Sequence, residues 1–258
     1  MIIRKSPDEI EAMARAGQVV VETLELLGEC VAPGVTTLEL DAVAEEFIRS
    51  QDGVPTFKGY RGFPGSICAS PNSMVVHGIP GPYRLDEGDI ISIDVGVTLG
   101  GFVADSAYTF GVGETDPETQ RLLDVCQAAL AAGIDEARAW SHVGDVSAAV
   151  QQTTEAAGFS VVRSLVGHGV GRSMHEEPQV PNFGRPGRGP KLAPGTTIAI
   201  EPMITAGGPD VWIADDRWSI STDDGSLAAH FEHTVAITGE GPRILTQARA
   251  GSALRLLA

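Results

Sequence analysis

Leu85-Asp86-Glu87-Gly88-Asp89-Ile90-Ile91-Ser92-Ile93-Asp94 reads as a turn running into a strand. Its pattern, Leu-x-x-Gly-x-x-Ile-x-Ile followed by an acid, returns 107 residues later as Leu192-Ala193-Pro194-Gly195-Thr196-Thr197-Ile198-Ala199-Ile200-Glu201. A second pair, Val35-x-x-Leu38 and Val143-x-x-Val146, lies at an offset of 108. Two matches at nearly one offset predict two related αβ halves, approximately 1–112 and 113–258. The expected fold class is α+β: one pseudo-symmetric domain with helices outside a strongly bent sheet. The same phrase is also a common way for a loop to enter a strand. What favours a repeat is that both copies end in an acid at an inward-looking position.

The surrounding chain supplies the helices. Ser6-Pro7-Asp8-Glu9 combines an N-cap, a proline at the first helical position and a capping-box glutamate. That helix should run to about Cys30 and stop at Pro33-Gly34. Thr36 and Glu39 open a second helix, which ends at Asp52-Gly53. Residues 54–84 are rich in Gly and Pro and read as loop with short strands. Strands are expected at 90–97 and 102–110, around Gly100-Gly101. Asp116-Pro117 starts a third helix to about Trp140, and a fourth covers about 145–157. Later strand-like runs lie at 163–166, 196–203, 211–221 and 229–238.

In the first of these strands Ile91, Ile93, Val95 and Val97 share one face, so Ser92, Asp94 and Gly96 share the other. With Leu99-Gly100 as the tight turn, Asp94 would stand directly opposite Asp105. Carboxylates opposed in this way repel, and the pair persists only with a cation between them, a shared proton or full solvation. Glu201 ends an apolar strand, and Glu232 lies inside the β-like run 229–237. His168 sits in Gly167-His168-Gly169-Val170-Gly171, where glycines let backbone approach a ligand. Alone, such a histidine is more often a loop residue. Four acids and an imidazole that converge on one face suit a hard to borderline divalent metal such as Mn, Fe(II), Co or Zn. Two divalent ions balance four carboxylates, whereas one leaves the pocket poorly compensated.

Composition removes several other classes. The 258 residues carry a net charge of −16, which opposes binding to nucleic acid or to an anionic membrane by general electrostatics. A 43% hydrophobic and 20% charged composition is that of a globular protein, not a disordered one. The N-terminus has no signal-peptide stretch, and no apolar run approaches the roughly 20 residues of a membrane span. Cys30, Cys68 and Cys126 are scattered, which argues for reduced thiols in a cytoplasmic protein and against a zinc ribbon. His175-Glu176-Glu177-Pro178-Gln179 is not H-E-x-x-H, and neither G-x-S-x-G nor a phosphate-binding glycine loop occurs.

The ordered set Asp94, Asp105, His168, Glu201 and Glu232 is accompanied by Val76-His77-Gly78-Ile79-Pro80, Gly167-His168-Gly169-Val170-Gly171 and Met174-His175-Glu176-Glu177-Pro178. Together these closely resemble type I methionine aminopeptidase, over nearly the whole chain. The 26-residue span from His175 to Glu201 leaves no room for the helical insertion of the type II enzymes. The resemblance implies the pita-bread fold, two pseudo-symmetric αβ halves around a dinuclear metal site. It implies a hydrolase that removes the initiator methionine from nascent chains, preferring a small second residue. It also implies a cytoplasmic monomer, with transient ribosome contact as a further expectation.

The resemblance assigns Asp94 to one ion, Asp105 and Glu232 to bridging positions, and His168 and Glu201 to the other ion. His77 and His175 correspond to the histidines that act near the peptide backbone and at the scissile carbonyl, and Glu201 to the base. Tyr60, Phe63, Cys68 and Trp218 correspond to the methionine pocket, a lining that suits a polarizable thioether. Three departures stand out: Met174 where many relatives carry an aromatic, Gly96 where a hydroxyl residue often stands, and Phe63 without the hydroxyl some relatives have. Two alternatives share the fold. An Xaa-Pro aminopeptidase or prolidase has the same ligand types but usually a further N-terminal domain. A metal-free peptide-binding module would have lost the ligands.

Overall fold

The computed structural model describes residues 1–248 and Leu254. Both predicted capping boxes form. Ser6 Oγ accepts from the Glu9 N–H at 3.3 Å while Glu9 returns an acceptor to the Ser6 N–H at 2.9 Å, and α1 runs Pro7–Cys30. Thr36 and Glu39 make the same reciprocal pair at the start of α2, Thr37–Ser50. Asp116 accepts from the Glu118 and Thr119 N–H groups ahead of α3, Pro117–Glu136. The last helix, α4, covers Val143–Ala156.

These helices form two pairs, and each pair covers its own sheet. On one side Val20, Leu24 and Leu27 of α1 and Leu40 of α2 pack on Ile91, Ile93, Val95 and Val97. On the other, Leu122, Cys126 and Leu130 of α3 and Val146 of α4 pack on Ile198, Ile200, Phe231 and Val235. Helices therefore lie outside and strands inside, in an α+β arrangement. Every strand pair is antiparallel. Among the described residues no helix is long and apolar enough to cross a membrane.

The strand Ile90–Leu99 forms a hairpin with Phe102–Gly111. Its register corrects the expectation above. Leu99 pairs with Phe102, so the turn is Gly100-Gly101, both with positive φ (59° and 82°), as a two-residue turn of the I′ class requires. Asp94 consequently pairs with Ala107, and Asp105 with Gly96. The two acids are diagonal neighbours on one face rather than directly opposed. The residue opposite Asp94 on the other flanking strand, Cys68–Pro71, is Cys68.

Five further expectations shift, among them the run 211–221, which is two short strands, Val211–Ile213 and Ile220–Thr222. Helix α3 stops at Glu136, because the chain turns away to place Trp140 at a φ of 73° with its N–H on the Leu192 carbonyl. The run 196–203 breaks into Thr197–Ile200 and Met203–Thr205 at Glu201-Pro202, where proline has no N–H for the ladder. The run 229–238 likewise splits into Ala228–His230 and His233–Ile237 around Phe231-Glu232. The strand expected at 163–166 begins at its end instead and covers Val166–Gly169. Among the described residues these breaks divide the bent antiparallel sheet of the α+β expectation into four hydrogen-bonded sheets.

Side-chain hydroxyls join the hairpin's sheet to the two sheets that carry Ala228–His230 and His233–Ile237. Ser106 Oγ donates to the Glu232 carbonyl at 2.5 Å, and Thr109 Oγ1 donates to the His230 carbonyl at 2.8 Å. Thr234 Oγ1 accepts from the Asp105 N–H at 3.0 Å and donates to the Asp105 carbonyl at 2.8 Å. One direct backbone bond, Glu232 N–H to the Ala107 carbonyl at 3.0 Å, completes the seam. This seam brings Asp105 alongside Glu232.

Candidate metal centre

The acids and histidines meet at the floor of one cavity of about 190 Å³. It is lined by all eleven residues singled out in the sequence: Asp94, Asp105, His168, Glu201 and Glu232 on the floor, with Tyr60, Phe63, Cys68, His77, His175 and Trp218 above. One ligand atom each from Asp105, His168 and Glu232 lies within 4.8 Å of the others. His168 Nε2 stands 3.8 Å from Asp105 Oδ2 and 3.5 Å from Glu201 Oε1. Its other nitrogen, Nδ1, is 2.9 Å from the Gly169 carbonyl. Donating there, Nδ1 carries the proton and leaves Nε2 as a lone pair facing the acids.

The electrostatics of the floor call for a cation. Burial pushes the Asp94, Asp105, Glu201 and Glu232 carboxyls up, and their mutual repulsion pushes Asp105, Glu201 and Glu232 further. Burial holds His168 down at about 4, so it is neutral at physiological pH. Asp94 Oδ1, Asp105 Oδ1 and Glu232 Oε1 are buried without a hydrogen-bond partner. Among the described residues, the only arginine or lysine lining the cavity is Arg61, which acts on His175. Buried oxygens of one sign, with partners missing and a neutral imidazole beside them, fit divalent cations.

His230 is a member of this cluster that the sequence reading missed. It is 2% exposed, neither ring nitrogen has a hydrogen-bond partner, and Nε2 lies 3.8 Å from Glu201 Oε2 and 3.9 Å from Glu232 Oε2. Period-two alternation could have found it, because Glu232 was already placed inward on the run 229–237.

The walls differ from the floor. Phe63 meets the Trp218 ring edge-on at 5.1 Å, and His77 meets the same ring at 6.4 Å. His77 adopts a φ of 59°, and the residue after it can only be glycine: a Cβ on Gly78 would sit 2.1 Å from the Ala69 carbonyl oxygen. Burial holds His77 near 4. The Cys68 thiol is pushed well up by burial and by the charges of Asp94, Asp105 and Glu232. It stays a neutral, soft part of the wall. His175 Nδ1 is 2.9 Å from the Tyr60 hydroxyl, and its ring stacks on Tyr60 at 5.5 Å and lies 4.3 Å from His168. Gly96 also finds a reason: a Cβ there would meet Phe57 at 2.7 Å, so the phenyl ring takes the space of a side chain. Met174, buried, lines the same cavity.

Residues 11–239 match the model of metallopeptidase family M24. The chain belongs to that family. This M24 peptidase is 53% identical over 246 residues to a methionine aminopeptidase of Clostridium perfringens, an alignment spanning 95% of this chain and 99% of the relative. A methionine aminopeptidase of Thermotoga maritima superposes with a TM-score of 0.94 at 43% identity, covering 96% of this chain and all of the other. A prolidase of Pyrococcus furiosus shares the fold at a TM-score of 0.77 and 20% identity; 96% of this chain covers 66% of it. The fold is the pita-bread fold of M24 enzymes. Membership of a metallopeptidase family implies divalent metal, which the buried acids and His168 are suited to hold.

Proposed function

We propose that this M24 peptidase is a methionine aminopeptidase, a hydrolase that releases the N-terminal methionine of nascent polypeptides and favours a small second residue. The observation that carries the reading is one cavity in which an aromatic and thiol-lined slot opens directly onto a buried acid cluster. A thioether suits the slot, and the adjoining acids suit the cations that peptide hydrolysis uses. Two divalent ions are the expected complement, drawn from Mn, Fe(II), Co or Zn. In this reading Asp94 would hold one, His168 and Glu201 would hold the other, and Asp105 and Glu232 would serve both. When bound, such ions lower the pKa of a water and polarise a carbonyl.

The chain's own residues supply the rest. Tyr60, Phe63, Cys68 and Trp218 hold the methionine side chain and exclude water from it. His77 stands beside the peptide backbone. His175, kept neutral by burial and by Arg61, donates to the scissile carbonyl oxygen, where negative charge grows in the transition state. Glu201 accepts a proton from the attacking water and returns it to the departing amine. The same reading treats residues 1–258 as one catalytic domain with pseudo-repeat halves near 1–112 and 113–258. It places the protein in the cytoplasm as a monomer that meets nascent chains, with transient contact to the ribosome.

The test is to strip the protein with chelator, restore one divalent ion at a time, and assay Met-Ala-Ser, Met-Leu-Ser and Ala-Pro-Ala. Metal-dependent turnover of Met-Ala-Ser above the other two is the expected result. Preferred cleavage of Ala-Pro-Ala would transfer the chain to the prolidase reading. Peptide binding without hydrolysis under every metal would make it a binding module.

A further inference from the structure

Lys5 precedes α1 and lies outside the cavity, yet its side chain is buried. Nζ donates to Glu176 Oε2 at 2.6 Å, and the two side chains keep only 3% and 5% exposure. A buried ion pair is costly to desolvate and is weak evidence for stability. Its location is more informative. Glu176 directly follows His175, and its other oxygen accepts from the N–H groups of Arg172 at 2.9 Å and Ser173 at 3.2 Å. The loop that carries His175 is therefore wound around one carboxylate, and that carboxylate is held by Lys5.

The holder is itself fixed. The Lys5 N–H donates to the Gly195 carbonyl at 2.7 Å, and the Gly195 N–H donates to Ile237, the end of the His233–Ile237 strand, at 2.8 Å. The lysine also passes close over Gly171, where a side chain would have to push the ion pair aside. A Cβ there would lie 2.3 Å from Lys5 Cε and 2.7 Å from Glu176 Oε1. On the outer side, Arg172 reaches Glu9 of α1 at 3.0 Å and lies over the Phe102 ring at 4.3 Å.

We infer that Lys5 is a positioning residue for His175: through the Glu176 carboxylate it fixes the 172–176 loop so that the imidazole meets the scissile carbonyl. This rests on the carbonyl role proposed for His175. A merely structural lysine would cost stability but would lower turnover equally whether or not His175 is present. A positioning lysine loses its effect when His175 is gone, and the two are separated by a double-mutant cycle.

The experiment compares Lys5→Met and the charge-neutral Lys5→Met/Glu176→Gln, each in the natural and in the His175→Ala background, as full chains loaded with Mn. The double variant carries no unpaired buried charge, so it covers the case in which Lys5→Met alone fails to fold. In the natural background, kcat on Met-Ala-Ser should fall about ten- to a hundredfold, the cost of a misplaced group. KM should stay within about threefold, because the contact is made in the transition state. In the His175→Ala background the same changes should alter kcat by less than about twofold. Amide exchange at Arg172 and Ser173 in the metal-free protein should accelerate, with the 90–111 hairpin unchanged. Equal losses of kcat in both backgrounds, or unchanged exchange in the loop, would overturn the inference. If His175→Ala alone keeps full kcat, the carbonyl role falls instead, and loop exchange then decides whether Lys5 holds the loop.

Discussion

Replacing His175 with alanine probes the site at the atom where this reading places the chemistry. Tyr60, His168 and Arg61 define the state of the imidazole. The Tyr60 hydroxyl lies 2.9 Å from Nδ1, the Tyr60 ring stacks at an interplanar angle of 26°, and the His168 ring is 4.3 Å away. Burial and the Arg61 charge hold its pKa below the usual histidine value, so the ring is neutral at pH 7. With the Tyr60 O–H donating to Nδ1, the proton sits on Nε2, the donor left for substrate. One pre-oriented donor aimed at a developing oxyanion is worth about 10²–10³ in kcat, roughly 2.7–4 kcal/mol. His175→Ala should show that loss with little change in KM and with full metal content. Tyr60→Phe removes only the bond that selects the tautomer. Its loss should be about fivefold, the equivalent of one ordinary hydrogen bond of about 1 kcal/mol. Steady-state kinetics on Met-Ala-Ser, with metal measured on the same samples, gives both numbers. Near-normal kcat for His175→Ala would refute the carbonyl role.

The metal assignment predicts that Asp105→Ala disturbs both ions, whereas Asp94→Ala mainly weakens one. Calorimetric titration checks this, and full two-ion stoichiometry at unchanged affinity in Asp105→Ala would contradict bridging. Discrimination between methionine and leucine at the N-terminus should be modest, about 1–3 kcal/mol, because apolar pockets separate similar side chains poorly. Met-Trp-Ser should be rejected far more strongly than Met-Ala-Ser, and comparable turnover of the two would count against the proposed fit. Glu45 is held down at about 2, chiefly by its hydrogen bonds from Lys58 and Arg49. A lowered carboxylate contributes stability above its unfolded pKa, near 4.5, and loses it as pH falls towards 2. For so exposed a pair this is about 1 kcal/mol or less. Acid melts of Glu45→Gln should therefore lack a small part of the stability loss between pH 4.5 and 2 that the unaltered protein shows.

Much of this was legible because it is local. The capping boxes at Ser6 and Thr36 name their own partners three residues on, so α1 and α2 start where the sequence says. The hairpin was legible as a hairpin but not in its register. A shift of the turn from Leu99-Gly100 to Gly100-Gly101 leaves every residue on its face and changes only who stands opposite whom. That is why Asp94 and Asp105 still share a face although they are not paired. The breaks at Glu201-Pro202 and Phe231-Glu232 were half-legible. Proline announces the first, but nothing local announces the second, which exists because the backbone there turns to bond with the 102–111 strand.

That second break explains the geometry of the site. A carboxylate in the middle of a regular ladder points along its sheet's normal, together with every second neighbour. Four of them from one flat sheet would form a row, not a cluster. Here Asp94 and Asp105 come from a continuous hairpin, while Glu201 and Glu232 sit where their strands give up the ladder. Ser106, Thr109 and Thr234 replace the lost backbone bonds with hydroxyl bonds, so the buried main chain stays satisfied while the sheets approach. The acids are thereby turned toward one another from different sheets, which raises their repulsion and leaves Asp94 Oδ1, Asp105 Oδ1 and Glu232 Oε1 without donors. Such an arrangement is costly for the protein alone, and it is the cation that makes the convergence favourable. On this argument the Thr234→Val substitution, which removes one of those hydroxyls from the Asp105 backbone and alters no carboxylate, should weaken metal affinity as well as stability.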